Sequence, residues 1–153
     1  MFNVAIELKR ADLMLAAAQA AFQLMPTEWV FKNNYAGALI TLRQRPEEAV
    51  RLTLQLVNQQ PNSVITKINH SLALLQNQRT REAEILLRGI DPRRLRPDEM
   101  TAYYLGLAEM YYNLKEFDKV REVMEHIDRK SLFPTELQWL DHVKKQVEKK
   151  NES

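Results

Sequence analysis

Ile90-Asp91-Pro92-Arg93-Arg94-Leu95-Arg96-Pro97-Asp98-Glu99-Met100 comes back further along the chain as Ile127-Asp128-Arg129-Lys130-Ser131-Leu132-Phe133-Pro134-Thr135-Glu136-Leu137. Ile-Asp, Leu, Pro and Glu hold the same places in both copies. Each copy reads as the end of one helix, a loop, and the start of another. Proline suits the first helical position, where its missing N–H is no loss. Glutamate suits the first turn, where backbone N–H groups need an acceptor. Two copies of one loop in a short chain point to a repeat architecture.

Small residues supply a second ruler. Gly37 and Ala49, Ser71 and Ala83, and Ala108 and Val120 each stand at positions i and i+12. Short side chains at fixed spacing mark places where two helices cross closely. Ala49, Ala83 and Val120 then follow one another at a period of about 34 to 37 residues, in the range of helical-hairpin repeats. Pro26 and Pro61 end helical runs, Pro46-Glu47-Glu48 starts one, and Thr80 is placed to cap another. The expected elements are a helix over 3–25, pairs 28–44 with 47–59, 63–77 with 80–89 and 98–114 with 117–127, and a last helix over 135–149. The hairpins thus occupy 28–60, 63–89 and 98–127 of a single domain, 1–153.

Composition agrees with an all-α class. There are only 3 Gly, and the long runs draw on Ala, Leu, Glu, Gln, Arg and Lys, which lose least on entering a helix. The formal net charge is +2, from 22 basic and 20 acidic side chains, too balanced to make nucleic acid or an anionic membrane the default partner. Zero cysteines exclude disulfides, thiolate nucleophiles and cysteine-ligated zinc, and fit a cytoplasmic location. Lys9 and Arg10 before the apolar run Leu13–Met25 imitate a signal peptide. Glu7 and Asp12 place the wrong charge there, and the run is too short to span a bilayer.

These spacings resemble the tetratricopeptide repeat, a helix–turn–helix unit of about 34 residues with a loose small-residue and aromatic signature. Gly37, Ala49 and Pro61 fit the first unit, and Ser71, Ala83 and Leu87 the second. Leu107-Ala108-Tyr111 and Lys115-Glu116-Phe117-Asp118-Lys119-Val120 fit the third. Ala21-Phe22-Gln23-Leu24-Met25-Pro26 looks like the end of an earlier one. Thr53 stands where an aromatic is usual, and the last two loops are longer than the pattern. The resemblance implies a right-handed α-solenoid of antiparallel helix hairpins, about three full repeats with flanking helices and a capping C-terminal helix. It further implies a concave groove lined by the first helix of each unit. The family's lysine and asparagine clamp for C-terminal carboxylates is absent, since Asn34, Ala38, Ala102 and Gly106 occupy all its places but that of Asn69.

The chemistry searched for leaves no catalytic, cofactor or metal site to name. His70, His126 and His142 form no metal-binding run. Glu122 and His126 lie four apart, more often a solvated contact than a ligand pair. His70, beside Ser71 at a crossing, reads as a satisfied core histidine. Arg79, Arg81, Arg88, Arg93, Arg94 and Arg96 form the densest basic stretch, with Glu82, Glu84 and Asp91 among them, and read as a solvated edge. A non-enzymatic role follows: a scaffold holding a protein or peptide, with no nucleic acid and no membrane.

One stripe carries that expectation. Ile65, Ile68, Leu72 and Leu75 follow helical spacing, with Phe31 extending the line on one side and Leu105 and Tyr112 on the other. Either these seven line an apolar partner-binding groove, or they are core, covered by the N-terminal helix. That helix is apolar on most faces (Val4, Ile6, Leu8, Leu13, Met14, Leu15, Phe22), which suggests self-association or contact with upstream repeats. The second functional reading is therefore a structural terminal segment of a larger repeat protein, positioning upstream domains without a ligand of its own.

Overall fold

The computed structural model describes residues 10–150, and these form eight α-helices without a strand. They are α1 (Ala11–Leu24), α2 (Trp29–Thr41), α3 (Pro46–Gln59), α4 (Val64–Gln76), α5 (Thr80–Arg88), α6 (Pro97–Asn113), α7 (Phe117–Met124) and α8 (Pro134–Lys149). The expected pairs are present as α2 with α3, α4 with α5 and α6 with α7. Of the expected first helix, residues 3–9 lie outside the described residues.

One turn closes all three pairs. Arg43, Gln78 and Lys115 each take a left-handed backbone, with φ of 52°, 61° and 61°. Around them the hydrogen bonds repeat. Arg43 N–H donates to Ile40 and Gln44 N–H to Leu39; Gln78 to Leu75 and Arg79 to Leu74; Lys115 to Tyr112 and Glu116 to Tyr111. This crossed pair satisfies carbonyls that a helix end leaves open. It usually employs glycine, and here long polar side chains take the position instead.

The repeated loop is likewise one structure built twice. Asp91 accepts from the Arg93 N–H at 3.1 Å and Asp128 from the Lys130 N–H at 3.0 Å, each starting a 3₁₀ turn. Ile90 and Leu95 are buried, as are Ile127 and Leu132. Pro97 and Pro134 open α6 and α8. Glu99 and Glu136 reach back to the N–H of Arg96 and Phe133 at 3.0 and 2.8 Å.

The core runs through the whole array, from Met14 and Ala18 on α1 to Leu140 on α8. Tyr35, Leu39, Leu52, Leu56, Ile68, Leu74, Leu75 and Leu87 are its fully buried large side chains along α2 to α5. Each buried side chain of this kind contributes about 1.5–3 kcal/mol through area removed from water. Beyond the pairs, α2 adjoins α4 and α4 adjoins α6, so the first helices of successive pairs form one surface. Ala49, Ser71, Ala83, Ala108 and Val120 are wholly buried, as the ruler of small residues requires. Gly37 departs from it. It is only half-buried, and a methyl group placed on it would meet no atom within 4 Å. The close approach belongs instead to Gly106, whose added Cβ would lie 3.4 Å from Leu87.

Candidate functional site

The surface shared by α2, α4 and α6 is where the stripe of seven was expected to lie open. Ile68 and Leu75 are wholly buried inside the core, and Leu72 and Leu105 are each 7% exposed. Phe31, Ile65 and Tyr112 are half-buried. An exposed apolar stripe of seven is therefore not what the chain presents. The periodicity was that of a core-facing helix side, which spacing alone does not distinguish from a groove-facing one.

Among the described residues, the C-terminal helix borders the middle of this surface. Glu136 and Trp139 of α8 stand across from Leu72 and Leu105, leaving a cavity of ≈ 20 Å³ bordered also by Ile40, Arg43, Gln76 and Glu109. That is room for about one water molecule. Among the stripe residues, the structure thus brings Leu72 and Leu105 together beneath Trp139. It leaves Phe31 and Ile65 outside every depression described below.

At the centre of this region lies a set of side chains that sequence reasoning did not single out. The carboxylate of Glu109, on α6, is the one carboxylate buried among the described residues. Arg43, far earlier in the chain in the turn after α2, donates to it from both terminal nitrogens, at 2.6 and 3.1 Å. The same guanidinium lies over the Trp139 ring, 4.9 Å from its centre. Burial pushes the Glu109 carboxyl up to about 7, against the opposing pull of Arg43. Beside them Gln76 donates to the Ile40 carbonyl at 3.0 Å while its own side-chain oxygen is buried without a partner. A signal for Glu109 was present. It lies four residues after Leu105 and three before Tyr112, a lone charge on the very face the stripe was drawn along. Nothing local marks Arg43 or Trp139 as its partners.

Two open depressions flank this plug. One, of ≈ 320 Å³, is lined by Arg43, Pro46, Gln76, Gln78, Glu109, Tyr112, Asn113 and Trp139, with polar and apolar surface in about equal measure. The other, of ≈ 610 Å³, has an apolar floor of Met100, Ala102, Leu105, Leu132 and Phe133. Asp98, Asp128 and Glu136 stand on its rim with His126, and no lysine or arginine lines it. His126 stacks on Tyr104 with ring centres 4.8 Å apart.

The remaining candidates have structural partners. His70 is buried and shares a 2.8 Å hydrogen bond with the Thr53 hydroxyl, which also approaches the Ala49 carbonyl at 2.7 Å. The buried Thr53 hydroxyl thus supplies His70 with its partner. Burial lowers the His70 pKa, with Arg79 acting in the same direction. Each arginine of the basic stretch meets a nearby carboxylate: Arg79 with Glu82, Arg81 and Arg88 with Glu84, Arg93 and Arg94 with Asp91, and Arg96 with Asp98. Such exposed pairs contribute little stability. Among the described residues no group of histidine and carboxylate side chains is placed to hold a metal, and no helix is long and apolar enough to cross a membrane. No family model, curated protein or solved structure matches the chain.

Proposed function

We propose that the chain is a protein–protein interaction scaffold of the tetratricopeptide kind, an α-solenoid of helix hairpins that takes a protein segment against its inner face. The thrice-repeated turn and the twice-built loop support the solenoid reading, because identical joints propagate identical stacking. The observation that carries the binding reading is the ≈ 610 Å³ depression between α6, α8 and the loop before α8. Its apolar floor rewards a partner side chain that leaves water, and the carboxylates on its rim, of which Asp98 is shared with the exposed Arg96 and Glu136 with the Phe133 N–H, favour a neighbouring positive charge. The partner is thus a short segment with an apolar anchor next to lysine or arginine.

Selection from a displayed library of short random peptides tests this. Enriched sequences should pair a large apolar residue with a basic one, and Met100→Glu, at the exposed edge of the floor, should abolish their binding. Asp98→Lys should weaken it more at low salt than at high salt. Enrichment that is indifferent to both substitutions would place binding elsewhere.

The structural-segment reading keeps support from one place. Leu24, Met25, Trp29 and Val30 are all exposed around the α1–α2 corner, an apolar cluster at the array's first described joint. If this corner joins another copy or a further repeat, Leu24→Lys with Val30→Lys should lower self-association in light scattering. A monomer at every concentration, with and without these changes, would remove the self-association form of this reading.

A further inference from the structure

We propose that two copies of the chain pair through α1, antiparallel about a two-fold axis that passes between Ala17 and Ala20. This rests on the exposed corner described above and narrows it to one partner and one geometry; the peptide depression plays no part in it. Leu13, Ala17, Ala20 and Leu24 follow one another at intervals of four, three and four residues, a single seam along a helix. Leu13 is 37% exposed and Leu24 81%, Ala20 is exposed, and Ala17 is half-buried. The charges at the head of α1, Arg10 and Asp12, pair with each other at 2.9 Å. The seam itself carries no charged side chain.

Three features make a second copy the fitting occupant. The seam is apolar where the next helix of its kind is polar. Pro26 and Pro61 follow α1 and α3 at the same distance, so Leu13, Ala20 and Leu24 stand where α3 carries Glu48, Gln55 and Gln59. A face meant for water has no use for that exchange. The seam is also its own complement. Read backwards it keeps the same spacing and the same order of large, small, small and large. An antiparallel copy therefore sets Leu13 against Leu24 and Ala17 against Ala20, the reciprocity that a two-fold contact demands. The alanines let the helix axes approach to about 8 Å, the near end of the packing range, and the leucines close the seam at both ends. Finally, the far end of the array has the opposite character. The exposed side of α8 carries Gln138, Asp141, His142, Lys145 and Lys149. It offers the α1 of another copy no apolar surface, so copies do not stack head to tail and the contact closes at two.

Sedimentation equilibrium of the full chain tests the pairing: the mass should rise with concentration from 18.0 kDa to twice that value and stop. Ala20→Arg, a helix-favouring change at an exposed position, puts two like charges beside the axis. It should raise the dissociation constant by about tenfold or more while helical circular dichroism stays unchanged. The chain has no cysteine, so single cysteines read the register. Ala20→Cys lies beside the axis and should give a disulfide-linked pair under mild oxidation. Leu24→Cys should not, because its two copies lie roughly 16 Å apart along the seam at the helical rise per residue. A mass that climbs past two copies would overturn this geometry and leave self-association at the corner standing. The same holds for a pair in which Leu24→Cys couples as readily as Ala20→Cys. A monomer at every concentration would overturn both. Thiol labelling of Ala20→Cys then names the occupant. Slow labelling that becomes fast once residues 1–9 are removed would give the seam to the chain's own start, and fast labelling throughout would leave it to another protein.

Discussion

Gly37→Ala sets the repeat signature against the packing. If Gly37 were the small residue at a tight helix crossing, a methyl group there would clash and cost on the order of 1–3 kcal/mol. The structure requires the opposite sign. Gly37 lies inside α2, its backbone has no positive φ, and its added Cβ would find nothing within 4 Å. The only remaining effect is the conformational freedom that glycine gives the unfolded chain, so alanine should stabilise by roughly 0.5–1 kcal/mol. In a domain of this size that is about 1–4 °C in melting temperature. With a typical urea slope it is a midpoint shift on the order of 0.3–0.5 M. Parallel urea and thermal melts followed by helical circular dichroism measure it directly. A lowered midpoint with unchanged slope would show that another helix packs against the open side of α2, and that the ruler was right at its first mark.

Two further outcomes follow from buried positions. Ala83→Leu forces a larger side chain into a fully buried crossing on α5 and should cost on the order of 1–3 kcal/mol in the same melts; an unchanged midpoint would mean that the α4–α5 pair is misplaced. The raised Glu109 pKa makes stability pH-dependent. Its contribution is fully present below the unfolded value of 4.5 and is lost as pH rises through about 7, a difference of about 2–3 kcal/mol between pH 5 and pH 8. The lowered pKa of His70 works in the other direction, subtracting stability as pH falls below its ordinary 6.5. Glu109→Gln should therefore remove the loss on the alkaline side and leave the His70 effect on the acid side. An alkaline loss that persists in the variant would assign it to another group.

The local half of this fold was legible in the residues. Ile-Asp, Leu, Pro and Glu recurring at one fixed offset did build the same loop twice, because every bond in it runs between positions close in the chain. Helix ends fell close to the proline signals for the same reason, whereas Thr80, expected to cap, lies inside α5 and its hydroxyl accepts from Asn113 instead. Ser71, Ala83 and Ala108 were legible as crossings because a crossing imposes a size limit that short side chains advertise. The stripe from Phe31 to Tyr112 was legible as a helix face but not as covered or open. Helical spacing reports that a face avoids water and is silent on what shields it. Tertiary structure alone decided that α8 borders the surface shared by α2, α4 and α6, that Glu109 meets an arginine from the far-off turn after α2, and that Gly37 faces open space. Each of these depends on where a distant helix comes to rest, and a charge buried by another element leaves no periodic trace of its partner in the sequence.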